Sequence, residues 1–164
     1  MVGAVVQINT SLGGIPKRPI EQAFAGPLGL EGDVQAHPQI HGGPRKAVLL
    51  IAEEAVEELR AKGYPVYAGA LGENLTVRGI DRRQLRSGQR FRIGELVIEL
   101  TKVRSPCATL DVYGPAIKAE IYDAEVKAGN TASPKWAISG FYAAVVHPGW
   151  VRRNDIIALV DHAV

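Results

Sequence analysis

Short runs of β-branched and other apolar residues, separated by turns that contain glycine or proline, dominate the hydrophobic pattern of this chain. The run from Val2 to Ile8 is rich in β-branched residues, which predicts a strand. The run from Ala47 to Ile51 is apolar at every position, as expected for a strand buried on both faces. Phe91 to Ile93 and Glu95 to Val103 meet at the Gly94-Glu95 pair, which predicts a β-hairpin.

Two further strand-like runs lie near the end of the sequence, from Gly140 to His147 and from Asp155 to Val160. We expect them to pair with each other around the turn signals Pro148-Gly149 and Arg152-Arg153-Asn154. Six or more short strands at this spacing are typical of a barrel or a folded-over sheet.

A helical pattern interrupts the strands from Ala52 to Lys62, and Gly63 is a suitable stop. The apolar residues on its shared face are Ala55, Val56 and Leu59. A weaker helical pattern runs from about Pro115 to Lys127, with an apolar face made of Ile117, Ile121 and Ala124. The predicted fold class is therefore mainly β, barrel-like, with one or two short helices.

The 164 residues fit a single domain that spans positions 1–164, and 46% of them are hydrophobic. The formal net charge of +2 is too small to favour nucleic acid or an anionic membrane. A single cysteine excludes an intramolecular disulfide framework and zinc sites built on cysteine pairs. Because the sequence shows neither an apolar run near the ~20 residues of a membrane span nor a signal-peptide pattern, we expect a cytoplasmic protein.

Cys107 is the first candidate for chemistry, since it follows Arg104-Ser105-Pro106 directly after a predicted strand. A proline at this point ends strand pairing, so we expect Cys107 on a loop at the end of the sheet. The neighbouring Arg104 and Lys102 favour the thiolate, which nucleophiles and soft metal ligands both require. The alternative is a buried cysteine that acts as a small hydrophobic residue.

A second candidate is the segment His41-Gly42-Gly43-Pro44-Arg45-Lys46. Its glycines would let a ligand approach the main chain, and Arg45 and Lys46 suit a phosphate group. The alternative is a turn with solvated charges. Asp33, which lies upstream in Gly-Leu-Glu-Gly-Asp, would either orient His41 through its ring N–H or cap a local turn.

Asn74 is the third candidate, within Gly72-Glu73-Asn74-Leu75-Thr76. Its amide offers a donor and an acceptor to the edge of a heterocycle. The alternative is an asparagine in a left-handed turn conformation.

Taken together and in this order, the motifs resemble the MOSC domain, which is named for the C-terminal part of molybdenum cofactor sulfurases. The matching segments are GGIPK at 13–17, GLEGD at 29–33, HGGP at 41–44, GENLTVRGI at 72–80, SGQRFRIGE at 87–95, RSPC at 104–107 and GFYAAVVHPGWVRRNDIIALV at 140–160. Asn154-Asp155 stands where the family often has Gly-Asp.

The resemblance implies a β-rich barrel that binds the molybdenum cofactor, or molybdopterin, or that handles sulfur through one cysteine. Cys107 matches the cysteine that ligates molybdenum or carries a persulfide. With the residue chemistry above, the candidate catalytic residues are Cys107, His41 and Lys17. The candidate cofactor-binding residues are Arg45, Lys46, Asn74, Arg104 and Ser105.

Three functions follow as expectations from the resemblance. The first is a reductase of N-hydroxylated compounds, with electrons from a separate flavin or iron–sulfur partner. The second is a sulfur carrier that receives a persulfide from a separate cysteine desulfurase, because the sequence contains no desulfurase domain. From the resemblance we also expect the protein to lack the N-terminal β-barrel domain and the C-terminal helical extension of larger relatives. The third is a cofactor-binding module without enzymatic activity. In each case the partners are small molecules and donor proteins, and we expect neither nucleic acid nor membrane.

Overall fold

A computed structural model of the protein describes residues 1–34 and 42–160. Its strands are β1 (Val2–Thr10), β2 (Arg18–Ile20), β3 (Gln22–Gly26), β4 (Gly29–Leu30), β5 (Val48–Ala52), β6 (Leu75–Arg78), β7 (Arg90–Ile93), β8 (Leu96–Val103), β9 (Phe141–His147), β10 (Gly149–Arg152) and β11 (Ile156–Val160). Its α-helices are α1 (Glu53–Ala61), α2 (Ile117–Ile121) and α3 (Ala124–Lys127), and 3-10 turns cover Pro44–Lys46, Arg82–Gln84 and Ala108–Tyr113.

Seven of the strands form a closed barrel in the order β1-β6-β5-β9-β8-β7-β11. Pairing of β11 with β1, in which Ala4 faces Ile156, closes the ring. Only β5 and β6 run parallel among the described strands, and β2 extends the sheet from the far end of β1. The structure therefore confirms the predicted mainly β, barrel-like fold.

A second, three-stranded sheet has the order β10-β3-β4. Its existence corrects one prediction, because β9 and β11 do not pair with each other. β9 lies between β5 and β8, whereas β11 lies between β7 and β1. The segment predicted as a turn is the strand β10, in which Trp150 pairs with Phe24, so the chain leaves the barrel before β11 re-enters it. Asn154, with φ 73°, makes the return turn in a conformation that suits the glycine often found there in the family.

The local predictions agree with the structure where pairing is short-range. β5 is buried at all five positions. β7 and β8 form the expected hairpin, in which Ile93 pairs with Leu96 across the Gly94-Glu95 turn. Helix α1 buries the predicted face of Ala55, Val56 and Leu59.

The second helical pattern is divided into two short helices. Tyr122 and Asp123 adopt extended backbone conformations, and the Asp123 carboxylate accepts a hydrogen bond from the Val126 N–H at 2.9 Å. This N-cap begins α3 as a helix separate from α2. As a result Val126, rather than Ala124, is the buried residue of α3.

Two hydrophobic clusters fill the molecule, one inside the barrel and one outside it. The outer cluster packs α1 and α2 against Ile51 of β5 and also takes in Leu71 and Leu110. Leu110 is fully buried in the 3-10 turn that follows Cys107. The outer core therefore anchors the segment that carries the candidate cysteine. None of the helices among the described residues is long and apolar enough to span a membrane.

We predict that Gly140→Ala destabilises the fold much more than Gly88→Ala. Both glycines have positive φ values, 99° and 90°, so both variants carry a backbone cost of about 1–2 kcal/mol. A Cβ at Gly140 would also lie 2.6 Å from Ile51 Cγ1 and 2.8 Å from the Leu50 carbonyl oxygen, whereas nothing lies within 4 Å at Gly88. This overlap adds about 1–3 kcal/mol. Urea unfolding measures both losses, and equal losses would contradict the prediction.

Candidate functional site

Cys107 lies on a loop at the end of β8, as predicted, and is the N-cap residue of the 3-10 turn Ala108–Tyr113. Its side chain is partly exposed, which argues against the alternative of a core cysteine. The sulfur lies 2.8 Å from the hydroxyl oxygen of Thr109. The thiol is therefore accessible and has a local hydrogen-bond partner.

Arg104 is the buried anchor of this loop. Its guanidinium donates to the carbonyl oxygen of Ser139 at 3.3 Å and to that of Leu71. In return, the Ser139 hydroxyl donates to the Arg104 carbonyl at 2.5 Å. Burial lowers the pKa of Arg104, although the nearby Tyr142, Glu73 and Cys107 act in the opposite direction. The predicted contact of Arg104 with the thiolate or a cofactor stays a prediction, since its guanidinium binds backbone carbonyls here.

Basic side chains surround Tyr142, which pairs with Lys102 across β9 and β8. The Lys46 ammonium lies 5.2 Å from the centre of the Tyr142 ring. Burial and the charge of Lys102 lower the pKa of Lys46. Burial raises the pKa of Tyr142, and the charge of Cys107 adds to this effect while Arg104 opposes it. The structure therefore places Lys46, Lys102, Arg104 and Cys107 around one buried tyrosine.

The sequence analysis missed Tyr142 because it lies inside an apolar strand run and looks like a core residue. No spacing signal in the sequence distinguishes it from its neighbours. Only the pairing of β9 with both β8 and β5 brings it beside the Cys107 loop and the Pro44–Lys46 turn.

The other predicted residues of this region lie at its edges. Arg45 is largely exposed and its guanidinium lies 3.8 Å from the Glu99 carboxylate, while its carbonyl accepts from the Thr101 hydroxyl at 2.6 Å. Ser105 is exposed on the Cys107 loop. His41, and with it the proposed link between Asp33 and His41, lies outside the described residues.

Lys17 and Asp33 form a buried ion pair, with 2.6 Å between Nζ and Oδ1 and only 8% and 4% of their side chains exposed. The Ser11 N–H also donates to Oδ1 at 2.9 Å, and the Asn74 amide donates to Oδ2 at 2.9 Å. The structure thus brings two predicted site residues, Lys17 and Asn74, onto one carboxylate.

Asn74 joins three segments through its side chain. Its Oδ1 accepts from the Leu49 N–H at 3.0 Å, and its Nδ2 donates to the Asn9 carbonyl at 3.3 Å as well as to Asp33. Positive φ among the described non-glycine residues occurs at Ala137 and Asn154, so the left-handed alternative for Asn74 is wrong.

Glu73 is a fully buried carboxyl group that the sequence analysis did not single out. Its Oε2 accepts from the Thr76 hydroxyl at 3.1 Å, whereas Oε1 accepts no hydrogen bond within the described part of the chain. Burial raises the pKa of Glu73, and this effect outweighs the backbone amides of Glu73 and Gly69, Thr76 and the charge of Arg104. An acidic residue in a glycine-containing loop gives no sequence signal of such burial.

The described residues contain no cluster of three or more histidine, cysteine or acidic side chains arranged to hold a metal ion. Cys107 is the one cysteine of the sequence, and its thiolate has the chemistry of a soft metal ligand.

We predict that Asp33→Ala strongly destabilises the fold, because it leaves the buried Lys17 ammonium unpaired. The expected loss is about 3–5 kcal/mol in the free energy of unfolding. Asp111→Ala is the matched control, since Asp111 pairs with Lys118 at 3.5 Å on the surface with both side chains well exposed. The control is expected to lose less than about 1 kcal/mol. Denaturant unfolding that gives similar values for both variants would refute the buried pair.

We predict that Glu73→Gln gains stability relative to the unchanged protein as the pH rises. A carboxyl group whose folded pKa is raised stabilises the fold below its unfolded pKa, about 4.3, and loses that contribution as the pH rises through the folded pKa. The amide that replaces this carboxyl group does not titrate, so the relative stability of the variant at pH near 7 should exceed that at pH near 4. Exposed Glu57→Gln controls for the lost charge. If Glu73→Gln instead loses more at pH near 7, Glu73 is ionised and pairs with Arg104.

Comparison with known proteins places the chain in a family. The family model of the MOSC domain matches residues 37–158. Protein YiiM of Escherichia coli K12 is 33% identical over 138 residues, which cover 82% of this chain and 57% of YiiM. The uncharacterized protein YflK of Bacillus subtilis 168 is 34% identical over 152 residues, which cover 90% of this chain and 63% of YflK. The chain thus spans less than two thirds of the length of these curated relatives.

Solved structures share the fold. YiiM from Geobacillus stearothermophilus superimposes with a TM-score of 0.73 at 23% identity, covering 99% of this chain and 77% of that one. YiiM from Escherichia coli gives a TM-score of 0.71 at 24% identity, covering 98% of this chain and 71% of that one. Since the family model matches most of the sequence and the barrel is shared, this chain belongs to the MOSC domain family.

Proposed function

We propose that this protein binds the molybdenum cofactor beside the Cys107 loop, with the Cys107 thiolate as metal ligand, and reduces N-hydroxylated compounds. The observation that carries the proposal is the partly exposed thiol, held on a loop that the buried Arg104 anchors. A ligand position on such a fixed loop binds a metal without a large cost in conformational freedom.

The donor chemistry of the region fits the cofactor. Molybdenum held by a dithiolene accepts a soft anionic sulfur, which Cys107 supplies. The cofactor phosphate suits lysine and arginine side chains, and Lys46 and Lys102 lie together near Tyr142. Arg45 makes only a surface ion pair with Glu99, worth little in water, so its guanidinium can turn to a phosphate at small cost.

The remaining predicted residues contact the cofactor only under particular conditions or are proposed on weaker grounds. The exposed Ser105 hydroxyl is available to the cofactor from the Cys107 loop. Lys17 and Asn74 both bind Asp33, so direct contact with the cofactor requires an anionic or polar group of the ligand to replace that carboxylate. His41 stays a proposed catalytic residue on the resemblance to the family alone.

The cofactor and the side chains of the protein have different roles in the proposed reaction. When bound, the cofactor supplies two-electron transfer at its metal. Reduction of an N-hydroxyl group breaks the N–O bond, consumes two electrons and two protons, and releases the amine and water. A separate flavin or iron–sulfur protein provides the electrons. In this scheme Cys107 would hold the metal and Lys46 and Lys102 would offset negative charge. The Tyr142 hydroxyl would be protonated at neutral pH, because burial raises a pKa that is ordinarily already well above 7.

A second candidate function is sulfur transfer, favoured by the contact of the Cys107 sulfur with the Thr109 hydroxyl at 2.8 Å. That hydroxyl is placed to donate to an anionic sulfur. The Cys107 thiolate would attack the terminal sulfur of a persulfide on a cysteine desulfurase. A new S–S bond forms on Cys107, the donor's S–S bond breaks, and the donor cysteine leaves as a thiolate.

We predict that Cys107→Ser abolishes molybdenum retention without loss of folding. The test is metal analysis with native mass spectrometry on protein purified anaerobically from a molybdate-supplemented host. The unchanged protein should carry molybdenum and a pterin-sized mass that Cys107→Ser lacks at an unchanged melting temperature. Ser87→Ala, an exposed turn position, is the control and should retain both.

Equal molybdenum in Cys107→Ser and the unchanged protein would remove Cys107 as the ligand. A protein without molybdenum but with one extra sulfur on Cys107 would favour the sulfur carrier over the reductase. Stoichiometric cofactor without turnover of any N-hydroxylated compound would favour a binding module.

A further inference from the structure

A cleft of about 360 Å³ lies between the start of β2 and the loop before β6. Its walls include Gln7, Arg18 and Tyr67, with the rings of Pro16 and Pro19 as apolar surface. This volume falls within the range typical of small-molecule sites. The cleft is thus large enough for a compact ligand.

Gln7 presents a fixed hydrogen-bond acceptor at this cleft. Its Nε2 donates one hydrogen to Asn9 Oδ1 at 2.7 Å and the other to the Ala68 carbonyl at 3.0 Å. Asn9 is itself fully buried and donates to the Thr76 hydroxyl at 3.2 Å. Because both amide hydrogens are used, Gln7 Oε1 is the polar atom of this side chain that can still bind a ligand. It is an acceptor, so the ligand must supply an N–H or O–H donor.

Arg18 gives the cleft an uncompensated positive charge. Its side chain is exposed and makes no ion pair or hydrogen bond with any residue that the structure describes. The adjacent cation, Lys17, is already neutralised by Asp33. No acidic side chain is part of the described lining. A planar guanidinium in this setting favours a phosphate or carboxylate, which it binds through two parallel hydrogen bonds.

Tyr67 offers an aromatic surface in the same cleft, with 48% of the residue exposed. The turn that carries it is held by a hydrogen bond from the Ala70 N–H to the Tyr67 carbonyl at 2.9 Å. An exposed tyrosine ring beside two prolines stacks with flat rings. The cleft therefore combines an anion site, an aromatic face and an acceptor.

A second cleft within the described residues contains arginines whose charge is compensated. A cleft of about 500 Å³ beside α1 also contains two arginines, Arg82 and Arg83. Arg82 pairs with Glu58 at 3.2 Å, and Arg83 pairs with Asp81 at 3.0 Å. Their charge is compensated, so that cleft lacks the attraction for an anion.

We propose that the cleft lined by Gln7, Arg18 and Tyr67 binds a flat heterocycle that carries a phosphate, the chemistry of a nucleoside monophosphate. Arg18 binds the phosphate, the Tyr67 ring stacks on the base, and Gln7 Oε1 accepts a hydrogen bond from an N–H of the base. The three side chains that bind the ligand are not among the residues proposed above to hold the cofactor, so this inference does not rest on that function.

The test is calorimetric titration of the full chain with adenosine monophosphate at low ionic strength. Binding should weaken at least about tenfold in Arg18→Gln, the cost of one charge-assisted contact. It should weaken also in Tyr67→Ala and fall as salt is added. Arg83→Gln, which removes an arginine from the other cleft, and Cys107→Ser should bind as the unchanged protein does.

Adenosine without the phosphate should bind weakly and with equal affinity to Arg18→Gln and the unchanged protein. The proposal is overturned if adenosine monophosphate shows no binding at millimolar concentration, or if Arg18→Gln leaves its affinity unchanged. It is overturned as well if inorganic phosphate binds as tightly as adenosine monophosphate, because the ring then contributes nothing.

Discussion

The buried guanidinium of Arg104 is the interaction on which the geometry of the candidate site depends. A charge inside a protein must be met by hydrogen-bond partners, and here the partners are the carbonyls of Leu71 and Ser139, from two loops far apart in sequence. Meeting that requirement ties both loops to the segment that precedes Cys107. The accessible thiol is thus carried by a position that the protein interior holds in place.

Barrel closure supplies the frame for this arrangement. The parallel contact of β5 with β6 and the antiparallel contact of β5 with β9 bring the chain segments around Asn74, Lys46 and Tyr142 to neighbouring positions. A second buried polar group, the Asp33 carboxylate, then holds Lys17 and Asn74. Polar residues of this kind stabilise one arrangement of the loops, because each leaves an unsatisfied group if its partner moves.

Local structure could be predicted from the sequence, and long-range pairing could not. The hairpin of β7 and β8 and the buried face of α1 follow from turn residues and apolar spacing. The predicted pairing of β9 with β11 is wrong because partner choice depends on the whole barrel, and the β10 segment has the residues of a turn. The loop position of Cys107 follows from a proline after a strand. Burial of Glu73 and the position of Tyr142 arise from tertiary contacts that leave no local pattern.

Motifs that occur in the family's order identify the family from sequence. The roles of single residues depend on contacts that only the structure shows. Lys17 and Arg104 are cations by sequence, yet one is neutralised by Asp33 and the other is met by backbone carbonyls.

The central claim, that the Cys107 thiolate is the protein's ligand to molybdenum, is tested most directly by X-ray absorption at the molybdenum edge of reconstituted protein. If Cys107 ligates molybdenum, the cofactor bound to the unchanged protein has one more sulfur neighbour at the metal than the free cofactor has. An identical sulfur count in both would contradict it.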